Sequence, residues 1–402
     1  MLFPTVEYAL FFLVAFAGAW ALARRLEAHK AFLLGASWGF YAWGDARFLP
    51  VLIGVSLEAA LVAQALERAE SARLRRVVLG VGVAAVLLTL ALFKYLGFFA
   101  ASAFSLAGTL GLTSRPPHLP ELALPVGVSF FTFHAISLMV DAWRRRIPVK
   151  VRLLDALLYV AFFPQLVAGP ILRAATFLPA LAQRRDPSRV DAALALQRIV
   201  LGLFKKVVVA QVLATALVDR VFEAPSDHGS LEVLLAIYGY AAQLFCDFSG
   251  YTDLAIGSAL LLGYTMPENF DAPYAAASPQ DFWRRWHLSL SSWLRDYLFI
   301  PLGGSRHGPV RTALALLATM LLGGLWHGAA WSFVAWGAFH GVGLVAHRAW
   351  AAWNPRLRGT LAWQVVATLL TFHFVCAGWV LFRASSLGVA GEVFAALLRG
   401  AP

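Results

Sequence analysis

The chain alternates long apolar runs with short basic clusters. The first run, about Val6 to Ala23, ends at Arg24 and Arg25. The next basic clusters are Arg68 to Arg76 and Arg144 to Arg152. Between them lie two basic-poor stretches, Trp43 to Arg47 and Ala101 to Leu122, the second holding only Arg115. Val77 to Ala100 spans 24 residues, which at about 1.5 Å per residue gives roughly 36 Å, enough to cross a bilayer with tilt. Lys and Arg concentrate in cytoplasmic loops, so the alternation predicts five crossings with the N-terminus outside. Loops near 24–30, 67–76 and 143–152 are then inside, and loops near 44–48 and 101–121 outside. No basic residue precedes the first run, so a cleaved secretory signal is not expected.

After Arg152 the pattern loses regularity. Phe162 to Pro170 carries Pro164, Gly169 and Pro170 inside an apolar run, with basic residues on both sides. Broken helix at membrane depth is tolerated only where protein or a wet cavity covers it. Two readings are open, a re-entrant segment and a proline-kinked span. Leu194 to Phe222 can span but holds Lys205 and Lys206, which would snorkel if near the cytoplasmic end. Leu231 to Gly263 contains Asp247, Ser249, Gly250, Tyr251, Thr252 and Asp253. Such groups are costly in a span and face a protein interior or wet cavity, or they cap a helix break.

Glu268 to Arg285 is polar and reads as cytoplasmic, with a helix start at Ser278-Pro279-Gln280-Asp281. Phe282-Trp283-Arg284-Arg285-Trp286-His287 interleaves rings and arginines, a pattern suited to the headgroup level. Leu288 to Tyr297 is too polar to span and is predicted interfacial. Thr312 to Ala346 is 35 residues of apolar sequence, too long for one span, and divides at Gly323 to Gly328. His347 to Arg358 is basic and inside. Leu361 to Phe382 is the last span. The count is about ten to twelve membrane segments, without an internal repeat or a soluble domain.

Composition changes the picture by exclusion. Of 402 residues, 60% are hydrophobic and 14% charged, against about 45–50% and about 25% in soluble domains. Mean hydropathy is +0.70. A soluble enzyme, a disordered chain and a coiled coil are excluded. The net charge of +11 sits in inter-span clusters, so it reflects topology and not nucleic-acid binding. Cys246 and Cys376 lie in apolar runs and give neither a disulfide framework nor metal-ligand spacing.

Ten histidines carry the candidate chemistry. His327 lies between tryptophans and glycines deep in an apolar tract. Two readings stand there, a hydrogen-bonded interior residue and a general base; an imidazole can be buried neutral and still take a proton near neutral pH. Trp326 and Trp331 could line a pocket beside it. His287 is a second candidate.

Several blocks together resemble the membrane-bound O-acyltransferase family. They are Phe163-Pro164-Gln165 with Gly169-Pro170, Phe248-Ser249-Gly250-Tyr251, Asn269 to Tyr274, Phe282 to Ser291, and Trp326-His327-Gly328-Ala329. The likeness runs from about Ser37 to Phe382 and looks closest to the alginate O-acetylation branch, with the teichoic-acid D-alanyl transfer proteins as cousins. It implies that His327 is the catalytic residue and His287 the family's other histidine. It implies spanning and re-entrant helices around a thin core pierced by a tunnel. Acyl groups would pass from a cytoplasmic donor to an acceptor at the outer face. Sequences of this kind continue with hydrophobic sequence beyond the segment matching Gly378 to Arg383, whereas this one stops at Pro402; either a terminal helix is absent or the chain is a short variant.

The expectation is a single integral-membrane acyltransferase domain over residues 1–402, with N-terminal spans to about 142, a core at about 143–346 and a last span at about 361–383. It would sit in a bacterial inner membrane and move acetyl groups toward an exported polysaccharide, with His327 as base. Gln165, Asp247, Ser249, Tyr251, Asp253, Trp283, Arg284, Arg285, Trp286, Ser289 and Trp326 are the tunnel or substrate candidates. No bound cofactor or metal is expected; the donor would be acetyl-CoA or another acyl thioester. A periplasmic, esterase-like acetyltransferase partner is expected. The rivals are D-alanyl transfer from a carrier protein, and a transporter or flippase with His327 as proton relay.

Overall fold

Thr5, Ser71, Ser278, Thr360 and Ser386 each begin a helix by accepting a backbone N–H three residues on, at 3.1–3.2 Å. Such hydroxyl caps satisfy amides that the first helical turn leaves open. The computed structural model describes residues 3–112, 122–353 and 360–399. Among them every long element is a helix, and the one bridge joins Phe270 to Trp286. Among the described residues, six helical stretches are long and apolar enough to cross a bilayer: Leu26–Arg68, Ala72–Thr109, Ala192–Glu223, Ser230–Leu261, Gly308–His327 and Leu361–Arg383. Val6–Ala21, Val128–Trp143 and Leu387–Leu398 are shorter apolar helices. Helices satisfy their own backbone, as hydrocarbon requires. The chain is an all-α, multi-pass membrane protein. The ends of two expected loops, residues 113–121 and 354–359, lie outside the described residues.

Two units make up the chain, Met1–Ile199 with Leu254–Pro267, and Val200–Asp253 with Glu268–Pro402. In the first, the three basic loops meet. Lys30, 1% exposed, pairs with Asp155 at 2.7 Å, and Arg152 with Glu27 at 2.8 Å. Glu67 accepts the Val151 N–H at 2.9 Å. The buried Arg75 guanidinium donates to the Leu66 carbonyl and, at 2.7 Å, to that of Trp143. Charges that would be costly in apolar surroundings thus satisfy one another at one helix end.

Between Arg152 and Ala182 the chain does not form one kinked span. Leu153–Ala161 has 9 residues, roughly 14 Å of helix, and Ala174–Leu181 has 8. These two pack against each other, with the four-residue helix Phe163–Leu166 between them, so the chain turns back on itself. The turn is tight. A Cβ on Gly169 would stand 2.4 Å from the Pro164 carbonyl oxygen, and one on Gly127, which has φ +74°, 2.6 Å from that of Leu166. Gln165 is fully buried and donates from Nε2 to the Tyr159 carbonyl.

Four boundaries differ from the sequence expectation. The span expected to end at Ala100 continues to Thr109 through a π-helical turn, Ala91–Tyr95. Nothing in Leu96–Thr109 breaks a helix, and Lys94 in the π turn reaches the Ser129 hydroxyl at 2.9 Å. Asp247 to Asp253 caps no helix break, because Ser230–Leu261 is continuous. The tract from Thr312 divides at Gly328–Ala330, at the C-terminal edge of the expected break from Gly323 to Gly328. Gly323 and Gly324 stay helical because they serve packing: a Cβ on Gly324 would stand 2.2 Å from the Phe333 carbonyl oxygen, and one on Gly337 2.4 Å from that of Met320. Bare glycines let Gly308–His327 and Trp331–Trp353 approach backbone to backbone. Finally, the helix from Leu288 runs on past Tyr297, through a π-helical turn, Arg295–Phe299.

Candidate active site

The second unit assembles the histidine site from several segments. The first is the non-spanning stretch Asn269–Leu294. Asn269 is fully buried; its Oδ1 accepts from the Ser289 hydroxyl at 2.6 Å and from the Ser289 N–H at 3.2 Å, and its Nδ2 donates to Thr252 at 3.2 Å. The Asp271 N–H donates to the Arg285 carbonyl and the Leu288 N–H to the Asn269 carbonyl, both at 3.0 Å. This short antiparallel pairing about Phe270 and Trp286 fixes the turn that carries His287. His287 itself has φ +44°, ψ +56°, a left-handed conformation that a non-glycine residue keeps only when its surroundings impose it.

His287 was expected at an interface; the structure buries it, 1% exposed. The pairing just described draws the turn inward, and Phe248 meets the ring edge-on at 4.6 Å. Neither ring nitrogen has a hydrogen-bond partner among the described residues. Burial first, and the nearby His327 second, hold the imidazole well below its ordinary pKa, so it is neutral near pH 7.

His327 ends the Gly308–His327 helix. It is half-buried and edge-on to three rings: Trp326 at 4.9 Å, Trp336 at 5.1 Å and Phe382 at 5.1 Å. Trp326 also lies 6.1 Å from the His287 ring, so one indole touches both histidines. Trp331, expected to line this site, is 56% exposed; one turn on, Trp336 takes that place at 1%. A helix presents residues to one side every three to four positions, so two residues five apart do not share a face.

The remaining candidates fall into four groups. Trp283 and Trp286 join the aromatic cluster, through Trp336 at 5.7 Å and Trp379 at 4.9 Å respectively. Asp247 and Asp253 are ion-paired with Lys206 and Lys205. The lysines thus bind carboxylates of the neighbouring helix. Tyr251 lies beneath Lys206, 5.8 Å from ring centre to Nζ, and Ser249 is 4% exposed. Arg285 pairs with Asp281 at 3.0 Å, and Arg284 is exposed. Gln165 belongs to the first unit. Sequence reasoning missed Asn269 and His340 as site residues. Asn269 stood inside a quoted block, but its role is a clamp between segments. His340 carries no local signal beyond being a polar residue in an apolar helix.

A buried histidine and a half-buried one, joined by a tryptophan, thus stand together in a multi-pass helical protein. The membrane-bound O-acyltransferase family profile matches residues 83–390, and the chain belongs to that family. It is similar to a probable alginate O-acetylase of Pseudomonas aeruginosa, 39% identical over 99% of this chain and 75% of the relative. A peptidoglycan O-acetyltransferase of Helicobacter pylori is 34% identical over 90% of this chain and 72% of the relative. A teichoic acid D-alanyltransferase of Bacillus subtilis is 30% identical over 67% of this chain and 70% of the relative. The protein is an O-acyltransferase.

Proposed function

We propose that this chain moves acetyl groups from a cytoplasmic acyl thioester to hydroxyls of an exported cell-envelope polysaccharide. It does so in the inner membrane, with the N-terminus outside and the joined basic loops of the first unit in the cytoplasm. His327 is the general base. It takes the proton of the acceptor hydroxyl as the hydroxyl oxygen bonds to the acyl carbon. The carbon–sulfur bond then breaks, and the leaving thiolate takes the proton back from His327. A positioned base contributes typically about 10²–10⁴-fold. His287, held neutral, serves as a hydrogen-bonding group and not as a cation.

The observation that carries this reading is the ring cage about His327, which leaves the imidazole half-buried at a helix end beside a second, neutral histidine. A base that must gain and lose a proton in each turnover needs that balance of cover and access. The names of two relatives with the higher identities, an alginate O-acetylase and a peptidoglycan O-acetyltransferase, support acetyl as the group and a polysaccharide as the acceptor. A periplasmic esterase-like partner holds the polymer at the outer face for this transfer. The test is chemical analysis of the exported polymer from the native host, with and without this chain. Loss of ester-linked acetate on deletion supports the reading; loss of ester-linked D-alanine with acetate unchanged replaces it by alanyl transfer.

A further inference from the structure

Three buried donors stand together next to His327 without an acceptor among the described residues. Trp283, Trp336 and His340 form a triangle of rings, with centroids 5.7 Å apart for Trp283 and Trp336, 5.2 Å for Trp283 and His340, and 4.9 Å for Trp336 and His340. Trp336 touches His327 on its other side at 5.1 Å. His340 is 0% exposed and Trp336 1%. Both indole Nε1 atoms, and both ring nitrogens of His340, are buried with no hydrogen-bond partner among the described residues.

An indole N–H only donates, and a neutral imidazole donates from one nitrogen. Buried polar groups are otherwise satisfied, and leaving them open is costly. Leucine or phenylalanine would fill such a place in an apolar helix without that cost. The neighbouring helix is shaped to the imidazole as well: a Cβ on Gly378 would stand 2.7 Å from His340 Nε2. A donor-rich cluster calls for an oxygen acceptor.

We propose that Trp283, Trp336 and His340 bind the carbonyl oxygen of the acyl group being transferred. The proposal rests on His327 as the base and adds the partner that such a base needs. As the hydroxyl oxygen bonds to the acyl carbon and its proton passes to His327, the carbonyl electron pair moves onto oxygen. The cluster holds that negative charge until the pair returns and the carbon–sulfur bond breaks. Donors fixed beforehand in a water-poor site act most strongly on developing charge.

The test uses the full chain in its native host lacking the chromosomal copy, with ester-linked acyl groups on the exported polymer as readout. His340→Leu keeps the volume and removes the nitrogens; His340→Gln keeps a donor; Trp283→Phe removes one indole N–H. His327→Ala is run in parallel. Expected is normal accumulation of His340→Leu, a melting temperature in detergent no lower than wild type, and acylation reduced by about 10²-fold, the low end for loss of one such donor. His340→Gln recovers part of the loss, and Trp283→Phe lowers acylation in the same direction. Wild-type acylation in His340→Leu and Trp283→Phe, with His327→Ala inactive, overturns the subsite and leaves the base in place. Full activity in His327→Ala instead removes the base. Should His340→Leu fail to accumulate, Trp283→Phe decides alone, and wild-type acylation there overturns the proposal.

Discussion

Lys205 Nζ lies 2.7 Å from Asp253 Oδ2, and the adjacent Lys206 Nζ lies 2.5 Å from Asp247 Oδ1. Two successive residues of one apolar helix thus bind two carboxylates of another. The first lysines' helix adopts a π-helical turn, Phe204–Ala210, at this point. Gly250 lies between the carboxylates in sequence, and a Cβ there would stand 2.7 Å from the Gly202 carbonyl oxygen. Close backbones bring the four charged groups within reach.

Removing one member of the deeper pair should therefore harm the fold more than removing both. Asp253 is 4% exposed, and taking away one partner of a buried pair costs about 3–5 kcal/mol, whereas apolar replacement of both is often neutral. Lys205→Met should lower accumulation in the membrane, and Lys205→Met with Asp253→Leu should restore much of it. Quantitative immunoblotting of membranes checks this; a double variant worse than the single would remove the pairing argument.

Backbone contact through glycine makes a sharper packing prediction. Gly337→Val adds bulk where a Cβ already lies 2.4 Å from a backbone carbonyl oxygen, and backbone cannot rotate aside as a side chain can. The variant should lose monodispersity on size-exclusion chromatography in detergent. Gly35→Ala, with nothing within 4 Å of its Cβ, should behave as wild type.

Topology follows from the joined basic loops. With Cys246 and Cys376 replaced, Ser71→Cys and Lys150→Cys should be shielded from an impermeant thiol reagent added to intact cells. Thr109→Cys should react. Arg152→Cys and Gln183→Cys, at the two ends of the returning segment, should share one accessibility. Labelling of Ser71→Cys with Thr109→Cys shielded would invert the orientation and place the acyl donor on the other side.

The buried neutral His287 gives a pH dependence of stability. Its folded pKa lies below its unfolded value. The unfolded chain therefore binds more protons, and stability rises with pH. The contribution is complete above the unfolded pKa of about 6.5 and is lost as pH falls below it. The melting temperature should drop between pH 7.5 and 5.5, and the drop should shrink in His287→Asn. An unchanged drop would mean that His287 is not the group concerned.

Most of the fold was legible because long apolar runs and basic clusters have local physical meaning. What was missed depends on partners far away in sequence. Nothing around Lys205 announces Asp253, which lies 48 residues on. Gly323 and Gly324 read as a break because glycine usually weakens a helix, yet here they let a second helix approach. Trp331 and Trp336 are both tryptophans near His327 in sequence, and only the rotation of the helix decides between them. The candidate site was half legible: His327 and His287 stand in their sequence blocks, while Asn269 as a clamp and His340 as a neighbour depend on contacts distant in sequence.

The central claim is that the His327 imidazole takes the acceptor's proton, and substitution of that one residue tests it most directly. His327→Ala should accumulate and remain monodisperse in detergent near wild type, since the ring lost is only half-buried. Ester-linked acyl groups on the exported polymer should fall by at least about 10²-fold, the low end for loss of a general base. His307→Ala, at an exposed position, should leave them unchanged. Wild-type acylation in cells that contain only His327→Ala would contradict the account.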